Sequence, residues 1–414
     1  GDYGGEGEIG DGEGVDGGSP AEEREFGIHS IEDYEDELDQ VDLDRGLEVL
    51  QDDQMHNQSR VLMSAKSSKS KQAKKKKKQQ GGEGGSSDKE EEEEEEKKDR
   101  ALEDSSAWPD SAAGAEKAID FTLISQMSWD RSYVIERHCE RWKGPMVMVV
   151  YIPTSSYPNA AIDDAVRAQC PHTKFLYHKA KREEQYPVNM LRNKAIREVQ
   201  TSHFFLTDID LLPDRNLYAR LLALAEVHAD MFKDPLNAMV VPAFTYRQEC
   251  GSKQVCGQLS RQVPDDLTTL KNCFAMKRCN IFDHQNPRGH GSTGYKEWNY
   301  QEQTELREIP CFRSNRYEPY VVLKKSGGLP LFDERFVGYG KNKIQHVVHL
   351  RYSGYRFYVV PGSFIIHSPH PKSYARRKWQ YTDKRQQMDY LFKMFLKKVK
   401  GLGLEVHTPV CIEF

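Results

Sequence analysis

The chain has 414 residues, 37% of them hydrophobic and 30% charged, with a formal net charge of −5. No stretch approaches the roughly 20 apolar residues that a bilayer-spanning helix needs, which excludes such a span within this sequence. The small net charge hides a division: residues 1–115 carry 15 Lys and Arg against 33 Asp and Glu, so the remainder is basic.

Residues 1–115 alternate Gly/Glu/Asp clusters with a Lys74–Lys78 run and a Glu90–Glu96 run. Such sequence buries too little apolar surface to offset chain entropy and is expected to be a disordered stem or linker. The Glu run competes for the lysines, so a nucleic-acid partner is not expected. A folded domain is expected over 116–414. The chain begins at Gly1 rather than Met, and membrane association is expected only through an anchor upstream of it.

From Phe121 onward apolar runs alternate with helical patterns. Pro145–Ile152 is a continuous apolar run, which suits a strand buried on both faces. Ala160–Ala168 reads as a short helix, Lys174–Tyr177 as a second strand, and Val188–Val199 as a helix opened by Pro187. His203–Asp210 is a third strand, Leu217–Val227 a helix and Ala238–Thr245 a fourth strand. Residues 247–320, rich in Arg, Gln, Asn, Gly and Pro, are expected to form long loops around an acceptor. Gly340–Tyr352 reads as a helix, Arg356–Val360 and Phe364–His367 as strands, and Lys378–Lys398 as a basic closing helix. The alternation implies an α/β fold with a doubly wound, mostly parallel sheet.

Within that frame Thr207-Asp208-Ile209-Asp210 carries the most chemistry. Two carboxylates at a strand's carboxyl edge are costly unless a cation neutralises them, and oxygen ligands suit Mn2+ or Mg2+ holding substrate phosphates. Side chains two apart on a strand point the same way. Open α/β sheets also bind ligands at that edge. Asp42-Leu43-Asp44 has the same spacing in a Gly-rich acidic stretch and serves as the control; there it reads as a solvated turn. The expectation is a metal-assisted enzyme acting on a nucleotide or phosphorylated donor. The eight cysteines, Cys139, Cys170, Cys250, Cys256, Cys273, Cys279, Cys311 and Cys411, fit up to four disulfides or buried thiols better than zinc sites.

Several segments, in order, resemble glycosyltransferase family 49, which includes the glucuronyltransferase domain of the LARGE enzymes and the β-1,4-glucuronyltransferases. They are YPVNMLRN (186–193), HFFLTDIDLLP (203–213), EPYVVL (318–323), FDERFVGYGKNK (332–343) and GYRFYVVPGSFIIHSPH (354–370). The resemblance implies a GT-A fold and an inverting, Mn2+-dependent transfer from a UDP-sugar, UDP-glucuronic acid in characterised members, to a glycan or glycoprotein. It also implies a type II membrane protein of the Golgi lumen.

Carried onto this sequence, the metal residues are Asp208, Asp210 and His367, with Asp210 the more direct ligand. His370 is a second choice as ligand or a contact to the donor phosphates. Arg192 and Asn193 are expected to bind the donor, Arg as a planar fork for phosphate or carboxylate and Asn on a uracil or ribose edge. Gly338 and Tyr339 are expected under the sugar, with Tyr339 stacking on it. Asp333 and Glu334 are the local carboxylates for a general base, because Asn342 and Lys343 stand where many inverting GT-A enzymes carry it. The region from His290 to Trp298 is expected to face the acceptor.

Overall fold

The computed structural model describes residues 118–153, 164–181, 185–371 and 384–411. The acidic tail, the start of the helix expected at Ala160 and the residues before Lys384 in the closing helix lie outside them.

Strands β1 (Phe121–Ser128), β2 (Met146–Ile152), β3 (Thr173–Lys179) and β4 (His203–Leu206) form the parallel half of an eight-stranded sheet in the order β3-β2-β1-β4. Every residue of β2 is buried, as its unbroken apolar run requires. The sheet continues from β4 through β10 (Tyr320–Lys324), β6 (Asn237–Val241), β11 (Arg356–Val359) and β9 (Arg307–Glu308), with β10 and β9 antiparallel to their neighbours. Apolar clusters cover both faces. A third cluster packs the helix Lys384–Gly401 against the helix Asn342–Tyr352 through Phe336, Ile344, Val348, Phe395 and Val399.

A second sheet, in the order β5-β12-β7-β8, is built from strands β5 (Leu211–Pro213), β7 (Ala243–Tyr246), β8 (Cys279–Ile281) and β12 (Ile365–His367). Three of these prolong strands of the large sheet. β4 passes through the Asp-Ile-Asp turn into β5, β6 breaks at Pro242 into β7, and β11 bends through Pro361 and Gly362 into β12. Proline lacks the donor a ladder needs, so Pro242 splits the single strand expected over Ala238–Thr245 between the two sheets. Gly362 has φ +61°, and a Cβ there would collide with the Gln303 side chain, so the bend requires glycine.

Two further expectations are corrected. β1 went unread because Thr122, Ser125 and Gln126 interrupt its apolar pattern, yet all three are buried in the central sheet. Residues 247–320 are loop for only about half their length, the rest forming helices Lys253–Ser260, Leu267–Ala275 and Tyr295–Tyr300 and shorter elements. Disulfides Cys250–Cys256 and Cys273–Cys279 staple this region, while Cys139–Cys170 and Cys311–Cys411 tie distant segments together.

Asp214, just after β5, locks the second sheet. It accepts hydrogen bonds from the backbone N–H groups of Asn216 and Phe364, both at 2.8 Å. Asp214→Ala strands the buried Phe364 N–H, whereas the Asn216 N–H can turn to water, and is expected to cost about 2 kcal/mol, lowering Tm by about 5 °C. Burial raises this carboxyl to about 6, against its backbone hydrogen bonds. A group raised above its unfolded value stabilises most at low pH and loses that share as pH rises through 6. The deficit of the variant should therefore shrink between pH 5 and pH 8, which thermal melts at the two pH values would reveal.

Candidate active site

The helix Val188–Arg197 presents Asn189, Arg192 and Asn193 on one face, since positions three and four apart are neighbours. Asn189 donates to the Asp333 carbonyl at 2.8 Å. Asn193 donates to the Phe332 carbonyl and to Glu334, each at 2.9 Å, and accepts from the Phe332 N–H at 3.0 Å. It is 1% exposed, so the donor contact expected of Asn193 is corrected: as placed, it is a clamp on the 332–334 segment. Arg192 is also interior, 4% exposed, and its guanidinium reaches Asp208 at 2.9 Å and the side-chain oxygens of Asn189 and Asn342 at 3.1 Å.

The two carboxylates of the Asp-Ile-Asp turn serve different neighbours. Strand β4 ends at Leu206, and the turn closes through the Leu211 N–H donating to the Asp208 carbonyl, so strand alternation does not govern these side chains. Asp208 accepts from Arg192 and, at 2.9 Å, from the Tyr320 hydroxyl, with the Lys343 ammonium 3.5 Å away. Burial would raise its carboxyl; Lys343 and Arg192 outweigh that and hold it below the usual range. Asn342 and Lys343 thus support Arg192 and Asp208.

Asp210 faces the imidazoles instead. His367 of β12 pairs in register with Leu211 of β5, and the Ser368 N–H donates to the Asp210 carbonyl at 2.7 Å. That register brings Asp210 Oδ2 to 2.7 Å from His370 Nε2 and 3.7 Å from His367 Nε2. The two Nε2 atoms are 3.0 Å apart, and ligand atoms of all three residues lie within 4.8 Å of one another. Burial pushes the Asp210 carboxyl up, but the two histidines pull it well below its usual range. The buried His138, kept neutral by burial at about 4, donates Nε2–H to the Ile209 carbonyl at 2.8 Å and steadies the turn from behind.

These three residues fit a divalent ion. His370 Nδ1 lies 2.8 Å from the Pro371 carbonyl, the outward hydrogen bond that fixes a ligating imidazole with its Nε2 lone pair free. One carboxylate and two imidazoles suit Mn2+ better than Mg2+. Asp208 is not in this cluster, and the expectation that both carboxylates of the motif point at one ion is corrected. His370, expected as a second choice, lies closer to Asp210 than His367 does.

The carboxylates expected as bases are engaged. Both oxygens of Asp333 take Arg335, at 2.8–3.2 Å, and Glu334 takes Asn193, with Arg197 at 3.6 Å. Gly338 (φ +72°), Gly340 (φ +94°) and Lys341 (φ +61°) wind the backbone left-handed and leave Tyr339 42% exposed. Within the region expected to face an acceptor, Tyr295 and Trp298 are core residues whose polar atoms bond the Ala243 and Val360 carbonyls at 3.0 Å. Sequence reading missed Glu318 and Tyr320 as site residues, while His290 was included in the expected acceptor region. Lys343 spans 3.5 Å to Asp208 and 3.8 Å to Glu318, Tyr320 bonds Asp208, and His290 stacks parallel to Tyr320. The EPYVVL segment was the available signal.

An α/β enzyme fold with a candidate divalent-metal cluster at the carboxyl edge of its central strand is the class these observations define. Residues 161–402 match the family described as "Glycosyl-transferase for dystroglycan", and the chain belongs to that glycosyltransferase family. Among curated relatives, "Xylosyl- and glucuronyltransferase LARGE2" of Rattus norvegicus is 34% identical over 61% of this chain and 35% of its own length. "Xylosyl- and glucuronyltransferase LARGE1" of Homo sapiens is 31% identical over 64% of this chain and 33% of its own length. The chain spans about a third of the length of these relatives. A solved structure of GalNAc-T7 with UDP, GalNAc and Mn2+ aligns at 13% identity and TM-score 0.37, over 61% of this chain and 44% of the other. Among the described residues no helix is long and apolar enough to cross a membrane.

Proposed function

We propose that residues 116–414 form a GT-A-type catalytic domain that transfers glucuronic acid from UDP-glucuronic acid to a glycan hydroxyl, with inversion and dependent on Mn2+. The observation that carries this is the convergence of Asp210, His367 and His370 in a chain of this family. The glucuronyltransferase activity for which both relatives are named supports the donor. Four disulfides suit an oxidising compartment, which supports the Golgi lumen.

Asp210, His367 and His370 would hold the ion, which when bound supplies a Lewis acid for the leaving diphosphate. Asp208 pairs with Arg192 and Lys343 and fixes them at the edge of the site. Tyr339, exposed on its left-handed turn, offers a ring face to the sugar.

The test is UDP release from a panel of UDP-sugars with Mn2+ and with EDTA. Release from UDP-glucuronic acid alone, lost in EDTA, is the expected result. Turnover of UDP-xylose instead would keep the mechanism and overturn the donor. Silence with every donor, candidate glycan acceptors included, would favour a carbohydrate-binding protein on a transferase fold.

A further inference from the structure

Transfer with inversion needs a group that takes the acceptor's proton, and Asp333 and Glu334 are both held by cationic or amide partners. A third carboxylate stands at the same edge. Strand β10 runs antiparallel to β4, so its leading end, Tyr320 preceded by Glu318, lies beside the carboxyl end of β4. Phe282 joins this wall to the metal cluster, with its ring 5.3 Å from His367, 6.2 Å from Tyr320 and 5.1 Å from His290.

We propose that Glu318 is the general base that deprotonates the acceptor hydroxyl. Its backbone is fixed by the following Pro319 and by its N–H donating to the Gly289 carbonyl at 2.9 Å. Its side chain is 24% exposed, so the carboxylate is sheltered without being sealed from solvent. Among the described residues no donor hydrogen-bonds it; the nearest cation, Lys343, stands 3.8 Å away and is shared with Asp208. Burial raises its carboxyl, partly offset by Lys343, in the direction a base at neutral pH requires. In the step, the acceptor oxygen bonds the anomeric carbon as its proton passes to Glu318. The bond to the diphosphate breaks with its electron pair leaving on UDP, and Glu318 then returns the proton to solvent.

This proposal rests on the transferase reading, and the test separates the two. Water is the probe acceptor that needs a base, and azide is the probe nucleophile that does not. Wild type and Glu318→Gln would be compared for UDP release from UDP-glucuronic acid with Mn2+, with and without sodium azide, alongside UDP binding. The expected result is a roughly 10²- to 10³-fold loss of release into water, restored by azide with formation of the glycosyl azide, at unchanged UDP binding. Undiminished release into water would overturn the proposal, as would a loss that azide does not restore. The same azide-restored loss in Asp333→Asn or Glu334→Gln, with Glu318→Gln active, would move the base to that residue. Wild type that releases UDP from no donor sinks the transferase reading first and this proposal with it.

Discussion

Asp210→Ala is expected to lower sugar transfer by at least about 10³-fold while leaving the fold nearly unchanged. Lewis-acid stabilisation of a departing diphosphate supplies several kcal/mol, and about 4 kcal/mol corresponds to that factor. The substitution removes the one carboxylate of the cluster, whereas the structural contacts of the turn are made by backbone atoms. The Ser368 N–H still meets the residue 210 carbonyl, and His138 still holds the Ile209 carbonyl. His367 and His370 remain within hydrogen-bonding distance of each other, at 3.0 Å. A variant that lost activity only because it unfolded, read as a Tm lowered by more than about 5 °C, would contradict this division of labour.

Asp208→Ala should behave in the opposite way and reach stability first. It strips the counter-charge from Arg192, 4% exposed, and from Lys343, whose side chain is 11% exposed. Removing one partner of a buried pair leaves an uncompensated charge and costs about 3 kcal/mol or more. The Tyr320 hydroxyl loses its acceptor as well. For a domain of this size the expected fall in Tm is roughly 10 °C. Asp208→Asn, which keeps an acceptor for Tyr320 but not the charge, should fall between Asp208→Ala and wild type. Equal melting of Asp208→Ala and wild type would show that Arg192 and Lys343 find other partners and that the electrostatic role assigned to Asp208 is wrong.

How far the sequence could lead is seen in these same residues. The continuous run of β2 and the periodic helix at Val188–Arg197 were legible because burial on two faces, or on one stripe, leaves its period in the chain. β1 was not, because a central strand can bury Thr122 and Ser125 within a hydrogen-bonded sheet and so break the apolar pattern. Asp210 and His367 were legible as chemistry through the motifs around them rather than through their place at strand ends, since Asp214 at the end of β5 is a structural carboxylate. The separation of Asp208 from Asp210 was not, because it depends on β4 ending at Leu206 and on cations arriving from positions 192 and 343. Glu318 lay within a segment already singled out, but its position beside β4 follows only from the antiparallel pairing of β10. Tyr295 and Trp298 misled for a related reason: an aromatic pair in polar sequence reads as surface until the second sheet is known to bury it.

Binding of Mn2+ to the purified chain, measured by the loss of the free-ion electron paramagnetic resonance signal, would be compared between wild type and Asp210→Ala. One ion bound per wild-type chain and a loss of at least about tenfold in affinity in the variant is the expected result. Equal binding by the two proteins would show that Asp210, His367 and His370 do not hold the metal.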